Sequence, residues 1–352
     1  MKTRSTPVDH GFSMPPEWSP HSGCLVSWPC KEDTWCGFVR EAKRAYATVV
    51  EAISRFEPVV VISDPSTLKE ARGTVGDIAH VVEVPLDDSW IRDNGPIFVT
   101  SPEEDFAVVH FGFNGWGGRF PPYDNDARVP EILASRAGAK RFVAPMVLEG
   151  GAICVDGEGT LLTTESCLLN PNRNPGTSRE DIEQILESFL GARKILWLRQ
   201  GIHNSMIDGH VDGVAAFVRP STVVMATADD ERDPNYAIAR TNRVMLETMS
   251  DAKGRPIEVV ELPMPKRREI AGNRIAPCYT NFYIAEGGIV APTFGDVNDE
   301  TAIETLKSLF TNREVVAVRS EYIGVGGGEI HCITQQIPRA ARGALTRLLG
   351  EA

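Results

Sequence analysis

The chain predicts an α/β fold, because three helical patterns run directly into β-branched runs. Residues 38–56, FVREAKRAYATVVEAISRF, carry apolar side chains at helical spacing and pass through Pro58 into VVVIS. Residues 178–190, SREDIEQILESFL, lead in the same way into KILWL, and residues 301–310, TAIETLKSLF, into EVVAV. A second observation concerns the apolar segments themselves. Asp93, Glu149, His210, Asn281 and Cys332 interrupt them at intervals of about 50 to 70 residues, the spacing of a repeat with one functional loop per unit. A ring of such units aims its loops at a common centre, as propeller blades do.

A length of 352 residues fits two domains or one large repeat-built domain. No low-complexity linker divides it, so a single unit over residues 1–352 is expected. With 42% hydrophobic and 24% charged residues the composition is that of an ordinary soluble globular protein. The start shows no basic segment followed by an apolar one, and no apolar run reaches bilayer length, so a cytoplasmic location is expected. The seven cysteines show no C-x-x-C pair and read as reduced thiols. A formal charge of -12 argues against nucleic-acid and anionic-membrane partners and mildly favours a small cation. A homo-oligomer is compatible with these features.

Taken in chain order, the first chemical element is Trp90-Ile91-Arg92-Asp93-Asn94-Gly95-Pro96, a charged and amide cluster closed by a Gly-Pro turn. Leu148-Glu149-Gly150-Gly151 then sets a lone carboxylate beside a glycine pair. A buried carboxylate is costly without a cation. Each therefore needs either a structural ion pair with one of the 36 basic residues or a cationic ligand. Asp93, Glu149 and Asp212 together suit a planar guanidinium, whose N–H fork matches carboxylates. Trp90 is either plain core or an aromatic wall for that ligand.

Gly209-His210-Val211-Asp212-Gly213 places an imidazole two residues from a carboxylate, as a turn cap or as a general base. Near the C-terminus, Gly326-Gly327-Gly328-Glu329-Ile330-His331-Cys332 brings a thiol behind three glycines, which permit positive φ or a close backbone approach. A lone cysteine is usually a small buried hydrophobe. One placed between a glycine run and the polar Thr334-Gln335-Gln336 reads better as a nucleophile, given a base and a lowered pKa. A zinc reading of His331 and Cys332 lacks a second ligand pair at finger or zincin spacing. The glycines match neither a dinucleotide fingerprint nor a phosphate loop.

In order along the chain stand MPPEW with HSGCLVSWP, WIRDNGPIF, FNGWGG, LEGGAICVDGEGTLLTTESCLLNPNRNP, GHVDG, NFY, FGDVNDETA and GGGEIHCITQQIP. These motifs cover nearly the whole chain, which resembles the agmatine deiminases, relatives of the bacterial peptidylarginine deiminases among the guanidino-modifying enzymes. The resemblance implies an α/β fold that is a five-bladed α/β propeller with pseudo-fivefold symmetry. It implies hydrolysis of agmatine to N-carbamoylputrescine and ammonia through a covalent thiouronium, with no metal or organic cofactor. Cys332 becomes the nucleophile, His210 the general acid and base, Asp93 and Asp212 the grips on the guanidinium, and Glu149 a further grip or the orienter of His210. Trp90, Trp116, Met206, Gly327 and Gly328 become substrate contacts.

Three departures from the family pattern bear on specificity. Ahead of Gly209 the family carries an acid-rich stretch facing the primary amine of agmatine, whereas Met206 and Ile207 offer no charge here. Cys154 stands where the family has His, and Glu329 where it has Asn. Glu329 is expected to raise the pKa of a nearby thiol. Alternatives are a deiminase of a guanidine with a non-cationic tail, an amidinotransferase in which an amine resolves the thiouronium, and a guanidine-binding protein without turnover.

Overall fold

Amphipathic spacing and β-branched runs build the same unit repeatedly. The computed structural model describes residues 5–103, 105–275 and 277–348. The predicted helices fall at Val39–Ser54, Arg179–Leu190 and Asp299–Leu309. In the first, Ala42, Ala45, Tyr46, Val49, Val50 and Ile53 are buried, a stripe at helical spacing turned to the core. The second starts at a capping box between Ser178 and Asp181 and stops at Gly191, whose φ of 76° is open to glycine.

Strands β1 (His21–Ser27), β2 (Val59–Ser63) and β3 (His80–Glu83) open the chain. They are followed by β4 (Ile97–Thr100), β5 (Phe106–Gly112), β6 (Lys140–Val147), β7 (Ile153–Val155), β8 (Thr160–Thr164) and β9 (Lys194–Leu198). Next come β10 (Ala215–Arg219), β11 (Thr222–Thr227), β12 (Glu258–Pro263) and the hairpin β13 (Arg268–Ile270) with β14 (Asn273–Ile275). The last are β15 (Tyr283–Ile284), β16 (Gly288–Thr293), β17 (Glu314–Arg319) and β18 (Thr334–Pro338). In β4-β5-β6, β7-β8-β9, β10-β11-β12 and β15-β16-β17 the first pair is antiparallel and the second parallel. A helix bridges each parallel pair, as such a crossover requires. The same order appears in β18-β1-β2, with β3 added at its edge, so the last strand pairs with the first.

The apolar core divides between these units. Leu25 and Val60 pack with Phe98 and Val108, Ile97 and Val109 with Ile153 and Leu161, and Leu162 and Leu196 with Val223 and Met225. Val224 and Leu262 pack with Ile289 and Ala291, and Val61 with Val290 and Val318. Apart from the β13-β14 hairpin, each sheet thus shares one apolar cluster with the next, and the fifth of these shares one with the first. No helix among the described residues is long and apolar enough to cross a membrane.

The α/β class is as predicted, and the polar interruptions occupy equivalent places. Asp93 lies in the helical turn before β4, Glu149 just before the turn leading to β7, and His210 before the turn leading to β10. Asn281 precedes β15 and Cys332 precedes β18. Each of these loops begins a unit, which is why one polar residue recurs per unit.

Candidate active site

Two cavities meet at the thiol of Cys332. The larger, about 520 Å³, is lined by Asp93, Trp90, Trp116, Met206, Gly327 and Gly328 together with the thiol. The smaller, about 270 Å³, is lined on its own side by His210, Asp212, Asn281 and Glu329. Met206, Ile207, Gly327, Gly328 and Cys332 border both.

The glycines before Cys332 make room for bulky neighbours. A Cβ on Gly328 would come within 2.5 Å of the Trp90 ring, and one on Gly326 within 2.6 Å of Trp35, which stacks on Trp90. Gly327 takes a φ of 100°, where side chains are strained, and the Met206 methyl lies over it. The close approach expected of this glycine run is therefore that of two indoles and a methionine. Trp116, itself at φ 54°, donates its indole N–H to Asp93 Oδ2 at 2.9 Å, so Asp93 has its aromatic neighbour fixed by a hydrogen bond.

Around the sulfur the partners are oxygen atoms. Sγ lies 3.3 Å from Asn281 Oδ1 and 3.6 Å from Asp212 Oδ2. Burial, then the charges of Asp212 and Asp93, push this thiol well above its ordinary range. Burial, then Asp212, lifts Asp93 to about 7. Gly151 explains how these groups come so close. A Cβ there would stand 2.8 Å from Asp212 Oδ2, Asp93 Oδ1 and His210 Nδ1 alike, and its N–H donates to Asp93 Oδ1 at 3.1 Å.

Asp212, expected as a grip on the guanidinium, already has a protein partner. Two residues from His210, it pairs with His331, whose Nδ1 lies 3.0 Å from Asp212 Oδ2 and whose Nε2 lies 2.8 Å from Glu17 Oε1. An imidazole facing carboxylates through both nitrogens donates from both and is held charged; burial opposes that charge, yet Glu17 and Asp212 raise its pKa. Burial also opposes the charge of Asp212, but His331 keeps its pKa below the ordinary value. Arg92 adds a second cation to Glu17 at 3.2 Å, so that Glu17 falls to about 2 despite burial. His210 has Asp93 Oδ1 at 3.5 Å from Nδ1 and Glu149 Oε2 at 4.0 Å from Nε2, with neither ring nitrogen hydrogen-bonded. Burial lowers its pKa, which leaves a neutral base at neutral pH.

One expectation is corrected, the effect of Glu329. Neither oxygen of its buried carboxyl has a hydrogen-bond partner, and burial raises its pKa well above the ordinary value, which favours the neutral form over a charge beside the thiol. Of the other departures, Cys154 is buried and accepts from the Phe217 N–H at 3.3 Å.

Of the two explanations offered for the carboxylates, the structural ion pair is realised at Glu149. Arg173 Nε donates to its Oε1 at 2.7 Å, while its Oε2 stays without a partner. Arg173 and Glu17 are participants that the residue patterns did not single out, and His331 and Gly151 take parts other than those considered for them. The latter two adjoin expected site residues: His331 stands next to Cys332 and Gly151 two residues after Glu149.

An α/β protein whose unit-opening loops gather a thiol, an imidazole and acids at the junction of two cavities is defined by that centre. Residues 13–338 match the model of the Porphyromonas-type peptidyl-arginine deiminases, and the chain belongs to that family. It is 42% identical to an agmatine deiminase of Pseudomonas aeruginosa over 95% of this chain and 97% of that one. The structure of the agmatine deiminase of Enterococcus faecalis, described as catalysing its reaction, aligns with a TM-score of 0.92 at 35% identity over 96% of this chain and 99% of that one. A cysteine-to-serine variant of the agmatine deiminase of C. jejuni with substrate bound aligns with a TM-score of 0.84 at 28% identity, over 93% and 96%.

Proposed function

We propose that this chain is a single-domain, five-bladed α/β propeller that hydrolyses a small guanidine, with agmatine as the nominal substrate, by covalent catalysis at Cys332. Support for the ring comes from the five sheets of one strand order and the apolar cluster shared between the last and the first. The observation that carries the activity is the thiol's position: it faces Asp212 at 3.6 Å and shares a cavity with Asp93 and two tryptophans.

In the free site burial, and then the surrounding acids, favour the protonated thiol. A guanidinium lying between Asp93 and the sulfur supplies the missing positive charge and favours the thiolate. The proton passes to His210, which is neutral when the site is empty. Sγ then bonds to the guanidinium carbon. The C–N bond breaks with the electron pair leaving on nitrogen, and His210 returns the proton so that ammonia departs. Water adds to the thiouronium with His210 taking one of its protons, the C–S bond breaks as the added hydroxyl gives its other proton to sulfur, and a ureido product and the thiol remain while His210 releases its proton to solvent. Asp93, Asp212 and Glu149 stabilise the charge as it localises on the tetrahedral centre. The two indoles hold the flat head in line with sulfur. No cofactor enters this scheme.

A second reading concerns the tail. Asp208, the acid kept in the 201–208 loop, is already held by Arg119, Arg173 and Asn172, and Met206 is half exposed over Gly327. That loop offers a tail ammonium no free carboxylate. Asp33 and Asp88, on the wall formed with Lys31 and Thr34, are the acids that remain at this cavity. Measuring ammonia and ureido product with agmatine, arginine and 4-guanidinobutyrate tests both points. Turnover of agmatine above the others supports the nominal substrate, preference for 4-guanidinobutyrate supports the non-cationic tail, and no turnover of any guanidine overturns the proposal. Added amines leave the rate of ureido formation unchanged for a hydrolase and divert it for an amidinotransferase.

A further inference from the structure

Glu149, His210 and Cys167 form a donor set of a different kind. One carboxylate oxygen, one imidazole nitrogen and one sulfur lie within 4.8 Å of one another, all buried. Glu149 Oε2 and both nitrogens of His210 have no hydrogen-bond partner, and Nε2 faces Oε2 at 4.0 Å. Buried polar atoms are normally satisfied, so this convergence of unsatisfied atoms calls for an occupant. Catalysis uses His210 and Glu149 but gives Cys167 nothing to do.

We propose that Glu149, Cys167 and His210 bind a borderline-soft divalent ion, Zn2+ above all, and that the ion inhibits the enzyme by occupying the imidazole; the inhibition, though not the binding, rests on the deiminase reading. Sulfur, imidazole nitrogen and carboxylate oxygen are the donors zinc takes, and three of them leave a fourth position open. The outer contacts are those of a metal centre. His210 Nδ1 faces Asp93 Oδ1 at 3.5 Å, the carboxylate–histidine arrangement that turns Nε2 toward a metal. Arg173 holds the other oxygen of Glu149 at 2.7 Å, and Asp208 offsets the charge of Arg173. With bonds of about 2.0 Å to nitrogen and oxygen and about 2.3 Å to sulfur, the three donors close on the ion by up to about an ångström. The smaller cavity, lined by His210, gives the path of entry. On binding, the metal replaces the proton of the Cys167 thiol, which leaves to solvent.

The test uses untagged full-length protein carrying Cys332→Ala, so that the catalytic thiol cannot act as a ligand. Titration with Zn2+ and Co2+ is expected to show one equivalent bound, with sulfur-to-cobalt charge-transfer absorption. Adding Cys167→Ser, or Cys167→Ala should the serine variant fail to show a native unfolding transition, removes that absorption and weakens Zn2+ binding more than about 100-fold, beyond the loss of an outer-shell partner. In the parent enzyme Zn2+ inhibits competitively with the guanidine and a chelator restores the rate. Cys167→Ser loses this inhibition relative to its own metal-free rate. No stoichiometric binding to the Cys332→Ala protein, or a cobalt spectrum unchanged by loss of Cys167, overturns the proposal. Absence of turnover without metal would overturn the deiminase reading alone and leave the binding result standing.

Discussion

Asn281 Oδ1 accepts the backbone N–H of Cys332 at 3.1 Å and lies 3.3 Å from the Cys332 sulfur. One amide oxygen therefore fixes the start of the last unit and the orientation of its thiol. Replacing Asn281 by Ala leaves the buried N–H of Cys332 without its acceptor and the thiol with only its longer contact to Asp212, a loss of about 1–3 kcal/mol. With a tenfold change per about 1.4 kcal/mol, kcat for agmatine is expected to fall about 10- to 100-fold with KM little changed. Steady-state kinetics checks this. A rise in KM alone would mean that Asn281 holds substrate rather than the nucleophile.

Asp93 sets an acid limb for the reaction. Burial and the neighbouring Asp212 lift it to about 7, so below that pH the group facing the substrate cation is neutral. The sign follows directly: attraction is present above the pKa and lost as pH falls through it. The pH profile of kcat/KM, which reports groups of the free enzyme, is expected to drop about tenfold per unit below about 7. Asp93→Asn removes that limb from whatever activity remains.

Much of this molecule is legible in its residue order. The helices at Val39–Ser54, Arg179–Leu190 and Asp299–Leu309 announce themselves because one stripe of each must be apolar. The polar residues that open each unit stand out because strands buried on both faces are otherwise apolar. Partner choice is not legible. Asp212 sits two residues from His210 yet bonds His331 because that contact forms between loops of different units, and Glu17 reaches His331 across more than 300 residues because the last strand pairs with the first. Arg173 looks ordinary inside NPNRNP until Glu149 is buried against it. Glu329 was misjudged for another reason: residue order shows a carboxyl group, whereas its charge is decided by the cavity around it.

Gly151 gives the sharpest steric prediction. A methyl group there meets Asp212 Oδ2, Asp93 Oδ1 and His210 Nδ1 at 2.8 Å each, so all three must move apart. Displacements of this size at a reacting centre cost about 100-fold in rate. Gly151→Ala is expected to lose at least that in kcat while retaining a cooperative unfolding transition, since the clash is with side chains. Gly150→Ala meets the Arg92 carbonyl at 2.1 Å instead and is expected to lower Tm markedly. Parallel kinetics and thermal unfolding separate the two effects.

Glu329 offers a pH test of stability that is independent of the reaction. Its pKa in the folded chain is raised well above the ordinary 4.5 by burial, with neither oxygen partnered. A raised carboxyl pKa means that the folded state retains a proton which the unfolded chain releases. The associated stability is complete below about 4.5 and is lost progressively as pH rises toward the folded value, at about 1.4 kcal/mol per unit within that window. Glu329→Gln keeps the shape and removes the titration. The Tm of Glu329→Gln minus that of the parent is therefore expected to increase as pH rises above about 4.5. A difference that stays flat across this range would mean that Glu329 ionises normally, and the neutral acid assigned beside Cys332 would have to be abandoned.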